Sequence, residues 1–175
     1  ARAFFEHNHA WWSPERRISL KSLPPPKEDP THPVMRPRGA TAPITQVRLV
    51  AQIYLDMDTT GGTFRAFSAT VFDGFRSFHH LPEQTYTDAF INIFFDLCEI
   101  ERRRLAEHLE APGMDVARAR ALHAEAEAAM ERTADRYIKD VRLGADRIAL
   151  QRWNDRVKAE LGIDNMALFG LGTAP

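Results

Sequence analysis

Between Pro14 and Pro37 lie seven of the chain's 11 prolines, including the run Pro24-Pro25-Pro26 and the spaced set Pro30, Pro33 and Pro37. Proline fixes φ and carries no backbone donor, so neither a continuous helix nor a central strand can run through this stretch. An extended backbone near polyproline II is what remains. Upstream stand Phe4, Phe5, Trp11 and Trp12, large apolar side chains with no local core to enter. Residues 1–42 therefore read as an extended arm tipped with aromatic anchors, suited to lie on another protein. Burying one such ring is worth on the order of 2 kcal/mol. Ordering backbone costs about 1–2 kcal/mol per residue, and prolines lower that cost because they are restricted beforehand. The competing reading is an arm that folds back on its own chain.

At 175 residues there is room for one domain plus the arm. A hydrophobic share of 44% and a charged share of 27% suit a globular body. The single cysteine, Cys98, excludes an intramolecular disulfide framework and any multi-cysteine zinc site. The formal charge of −1 hides an asymmetry: residues 1–42 carry seven Lys/Arg against four Asp/Glu, and residues 43–175 carry 16 against 20. A weakly acidic body is a poor platform for nucleic acid, which favours a concentrated basic face. No apolar stretch reaches the ~18–20 residues needed to span a bilayer. Residues 1–17 lack the apolar core of a secretory signal and read as a mature terminus.

The body from 43 to 162 reads as helices. Thr41 and Pro43 suit a helix start. Between Ile44 and Asp58, Val47, Leu49, Ala51, Ile53, Leu55 and Met57 alternate as in a strand, while Thr45, Arg48, Gln52 and Asp56 form a polar stripe at helical spacing. Phe64, Phe67, Val71, Phe75 and Phe78 fall on one helical face, with Thr63 as a cap. On that basis 43–58 and 63–79 are expected to be antiparallel helices joined by Gly61-Gly62. A strand hairpin there would make the fold α+β instead. Further helices are expected at about 85–110, 115–143 and 145–161, broken by Pro112-Gly113, Gly144 and Gly162. The first half of the 85–110 helix is apolar nearly all round and so belongs in a core. The expected fold is thus all-α: helical hairpins or a bundle of about five helices behind a long Pro-rich arm. The apolar tail 163–175, with Leu168 and Phe169, is expected to dock on the body or on a partner.

Candidate chemistry is sparse. His7 and His9 could share a metal only if other ligands converged on them. His79-His80 sit where histidines complement a helix C-terminus. An all-helical enzyme would use them with Glu83 or Asp88. Arg102, Arg103 and Arg104 could touch anionic lipid or an acidic subunit, but neighbouring helix positions point about 100° apart. Glu99–Arg103 and Glu101–Arg104 are helical ion-pair spacings. Cys98 lies in an apolar run and reads as a small hydrophobe. Gly61-Gly62 lacks the spacing of a phosphate loop. No catalytic residue, cofactor or metal site is expected.

The expected interaction residues are Phe4, Phe5, Trp11, Trp12, Leu168 and Phe169. In its organisation, a helical body with aromatic-rich extensions, the chain resembles the supernumerary subunits of mitochondrial complexes. That resemblance implies a non-catalytic accessory subunit of a large assembly, an ATP synthase or respiratory-chain complex. It would be soluble or peripheral to the inner membrane. A mitochondrial ribosome subunit is the alternative, disfavoured by the near-neutral charge, and a nucleic-acid binder using the three arginines is a third reading.

Overall fold

A computed structural model of the protein describes residues 9–19, 47–74, 76–79 and 85–172. It is an α+β fold, which corrects the all-α expectation. Five strands, β1 (His9–Trp11), β2 (Val47–Arg48), β3 (Ala51–Asp58), β4 (Arg65–Asp73) and β5 (Phe78–His79), precede four helices. These are α1 (Thr85–Leu109), α2 (Val116–Asp140), α3 (Arg147–Leu161) and the single-turn α4 (Asn165–Leu168). One antiparallel sheet has the order β1-β4-β3, and β2 pairs with β5 in a separate two-stranded ribbon.

The two expected helices at 43–58 and 63–79 are therefore strands over most of their described length. β3 and β4 form a hairpin running from Ala51↔Phe72 to Asp58↔Arg65. Gly61 and Gly62, at φ 76° and 75°, close it through a short 3₁₀ turn. Only glycine takes up two consecutive left-handed positions at no steric cost. The alternation in β3 was the true signal: Ile53 is buried, and Ala51, Leu55 and Met57 pack on the core, while Gln52, Tyr54, Asp56 and Asp58 are exposed. In β4 the helical spacing of Phe64, Phe67 and Val71 is coincidental. Phe72 points inward onto Phe95, with ring centroids 5.7 Å apart, and Phe67 points outward.

α1 is the hub. From Ala89 to Cys98 every residue is buried, as an all-round apolar helix demands. The inner face of the sheet, α2, α3 and α4 all pack on it. Helix ends follow local rules. Asp115, Asp146 and Asp164 cap α2, α3 and α4 by accepting from Arg118 N, Ala149 N and Ala167 N. Gly162, at φ 73°, ends α3. On α2 the buried residues are Ala119, Met130 and Tyr137, and Val141, just past its end, is buried too. On α3 the buried face is Ala149, Leu150, Asn154 and Val157, and Ile148 is exposed. Tyr137 sits between Phe90 and Trp153 and donates its hydroxyl to Phe90 O at 2.7 Å.

The N-terminal segment is part of this body over the residues described. β1 adds to β4 with the register His9↔Asp73, Ala10↔Phe72 and Trp11↔Val71, and Trp12 N donates to Thr70 O. Continuing that register sets Pro14 opposite Ser68. Proline has no N–H to give, so the added strand stops there.

Candidate interaction surface

The sheet has two different faces. Its inner face lies on α1. Its outer face carries Trp11, Tyr54 and Phe67, one from each strand, exposed by 49%, 47% and 59%. The register brings them together. Trp11 lies beside Val71, Tyr54 is opposite Ala69, and Phe67 is opposite Asp56. The rings form an edge-to-face row, with centroids 5.7 Å apart for Trp11–Tyr54 and 6.5 Å for Tyr54–Phe67. Single exposed apolar residues are ordinary. A contiguous aromatic row on a sheet face is the kind of patch that marks a contact surface. Gln52, Asp56 and Asp58 edge it along β3, and Arg65 stands opposite Asp58. Asp58 accepts from the Thr60 hydroxyl and backbone, which holds its carboxyl below the usual range.

Under the sheet, α1 presents a polar column, Asn92, Asp96 and Glu99, at helical spacing inside the apolar run. Asn92 and Asp96 hold the N-terminal segment, Asp96 also holds α4, and Glu99 holds β4. Asn92 accepts from Ile18 N at 2.7 Å and donates to Ile18 O at 2.7 Å, holding the N-terminal segment by its backbone. Asp96 accepts from Trp12 Nε1 at 2.8 Å, from the Arg17 guanidinium at 2.8 Å and from Asn165 Nδ2 at 2.7 Å. Burial pushes its carboxyl above the usual range, opposed by the Arg17 charge and by these hydrogen bonds. Glu99 accepts from Thr70 Oγ1, Arg102 and Arg103. The Arg17 and Arg103 guanidinium groups lie over the Trp12 ring, 6.0 and 5.4 Å from its centroid. Through these contacts the column acts as a clamp that fastens the N-terminal segment, β4 and α4 to α1.

The residues singled out by sequence divide accordingly. Trp11 is on the exposed face, whereas Trp12 is turned inward and held on Asp96. Phe4, Phe5, His7, His80 and Glu83 lie outside the described residues, and His79 pairs with Val47 in the ribbon. His9 lies 3.6 Å from Asp73. Leu168 is exposed, and Phe169 packs against the core beside buried Met166 and Leu171. Arg102 and Arg103 are ion-paired to Glu99, and Arg104 to Glu101 and Glu160. Cys98 is wholly buried and its thiol is pushed far up by burial, so it stays a thiol. Among the described residues no group of His, Cys, Asp and Glu converges as a metal site, and no helix is long and apolar enough to cross a membrane.

Sequence reasoning missed the clamp and the Tyr54–Phe67 face. The clamp left a signal: three polar residues spaced four and three apart in an otherwise apolar run. The partners of Asp96, 69 to 84 residues away in sequence, left none. No protein-family model matches the chain, and no curated protein or solved structure matches it either.

Proposed function

We propose that the protein is a non-catalytic accessory subunit that works by docking, with the aromatic face of its sheet as the contact surface. The observation that carries this reading is the row Trp11, Tyr54, Phe67, contributed by three strands and covered by no described residue. Tryptophan and tyrosine dominate contact energetics because each buries a large area with few torsions to freeze. The carboxylates along β3 favour a partner surface with basic groups at its rim. The assembly proposed is the one that the organisation of the chain suggests, a mitochondrial energy-transducing complex, with the subunit soluble or peripheral to the inner membrane. Residues 9–19 support it less directly than an arm lying on a neighbour would, since they are spent on the chain's own fold.

The test is affinity purification of the tagged protein from its source, with a photo-crosslinking amino acid at position 54. Defined subunits of one complex should be crosslinked, and Trp11→Ser combined with Phe67→Ser should abolish their recovery while leaving the circular dichroism spectrum intact. Recovery of a monomer with nothing crosslinked would overturn the reading.

A further inference from the structure

The two long edges of the sheet are treated differently. Register and hydrogen bonds fix which backbone groups face outward. Asp73 N donates to Val50 O, so the odd residues of β4 bond to β3 and the even ones face the other way. On β3 the outward groups are those of the odd residues, and α2 covers one set of them. Ile53 N donates to Glu127 Oε1 at 2.8 Å, and Ile53 O lies 2.6 Å from His123 Nε2. This is edge protection by side chains from a neighbouring helix.

On β4 the outward groups of Phe72 and Thr70 meet β1 and Trp12. Those of Ser68 and Ala66 meet no described residue, because Pro14 ends the added strand one pair short. The chain bends over residues 14–16, no described residue continues the pairing along the rest of this edge, and Ala66 is exposed. The open edge is one wall of a groove of about 670 Å³, with Phe64 and Met114 at one end and Ala106 and Leu109 of α1 as the opposite wall. Arg102 reaches into it from Glu99 and donates to Ser68 Oγ at 3.2 Å.

We propose that this groove takes an extended segment of a partner protein by strand addition, antiparallel to β4 and in line with β1. The assignment rests on the docking reading given above and names the partner's chemistry at a second position. Chain geometry for it is already in the molecule, because residues 9–12 are themselves a strand added to the same edge. Side chains directly opposite each other point to the same face. Guest residues opposite Ser68 and Ala66 thus aim into the groove, where Trp12 aims one pair earlier, and the residue between them lies beside Phe67 on the outer face. The segment has the pattern apolar–any–apolar. Both apolar positions must be non-proline, since each supplies an N–H to β4.

The experiment pans a random peptide library on the full chain, counter-selects on Ala106→Glu, and measures the selected peptides by titration and amide hydrogen exchange. Peptides with the alternating pattern are expected, protecting the Ala66 and Ser68 amides. Ala66→Pro should weaken them about tenfold. That variant removes only an outward N–H, since Ala66 makes no hydrogen bond to β3, and proline is tolerated on an edge. Ala106→Glu blocks the groove without touching the strand, so a folding defect in one variant does not decide the matter. Three results overturn the proposal: no enrichment over the blocked variant, Ala66 and Ser68 amides already protected in the free chain, or a dimer of the free protein that Ala66→Pro dissolves. Peptides that lose binding only with Trp11→Ser and Phe67→Ser would sink strand addition while leaving the docking face standing.

Discussion

At the scale of single residues, Asp96 decides most. It is a carboxylate with no exposure, and it holds the N-terminal segment, α1 and the C-terminal turn at one point. Removing one partner of a buried pair leaves the other charge uncompensated, at a cost of about 3–5 kcal/mol. Asp96→Ala is expected to lose that much in urea unfolding, and Arg17→Met a smaller amount because the carboxyl can then protonate. Gly144 is the second such position. It follows Arg142 and Leu143, both at positive φ, and has φ 91° itself. A Cβ there would lie 3.2 Å from Phe90 Cβ and 3.3 Å from Tyr86 Cδ2. Left-handed backbone alone costs an L-residue roughly 1–2 kcal/mol. With the crowding added, Gly144→Ala should lower stability by about 2 kcal/mol or more, seen as a drop in Tm. The glycine was legible in sequence as a helix stop; its contact with α1 was not.

At the scale of elements, β4 is the instructive case. A helix over 63–79 would bury Phe67 and Val71 on one seam and leave Phe72 off it. The strand reverses this, burying Phe72 and exposing Phe67. Phe72→Ala should therefore cost about 3–5 kcal/mol, and Phe67→Ser should stay within about 0.5 kcal/mol. Equilibrium unfolding of the two variants separates the pictures, and equal losses would contradict the strand. The misreading has a physical cause. Strand recognition relies on one polar face, and this sheet carries aromatics on both, so alternation vanished from β4 while it survived in β3. Local patterning failed at the face proposed to dock, where apolar residues serve a purpose other than the core.

At the scale of the molecule, the charged clamps give stability a pH dependence of two signs. Burial pushes Asp73 up, but hydrogen bonds from Arg76 and the nearby His9 outweigh it and hold the carboxyl below its unfolded value of 3.8. Between the folded value and 3.8 the unfolded chain binds more protons, so stability rises with pH there. The contribution is full above 3.8 and is lost as pH falls through the folded value. Asp96 is raised, so its contribution has the opposite sense: full below 3.8 and fading as pH rises through its folded value. Urea midpoints measured across acidic buffers should show Asp73→Asn flattening the acid limb. An unchanged limb would exclude Asp73 as its source.

The sequence by itself determined the helical half. The spans of α1, α2 and α3, their stops at Pro112-Gly113 and Gly162, the Asp115 cap and the burial of the first half of α1 all follow from signals within a few residues of one another. Tertiary structure alone decided the rest: that 51–58 and 65–73 pair as strands, that Trp12 turns inward while Trp11 stays out, and that Asp96 meets Arg17 and Asn165. Helix signals are written at a spacing of three or four residues. The pairing of β3 with β4 reaches up to Ala51↔Phe72, and the counter-charge of Asp96 stands on Arg17, far back in the chain, so only the folded chain brings these groups within hydrogen-bonding reach.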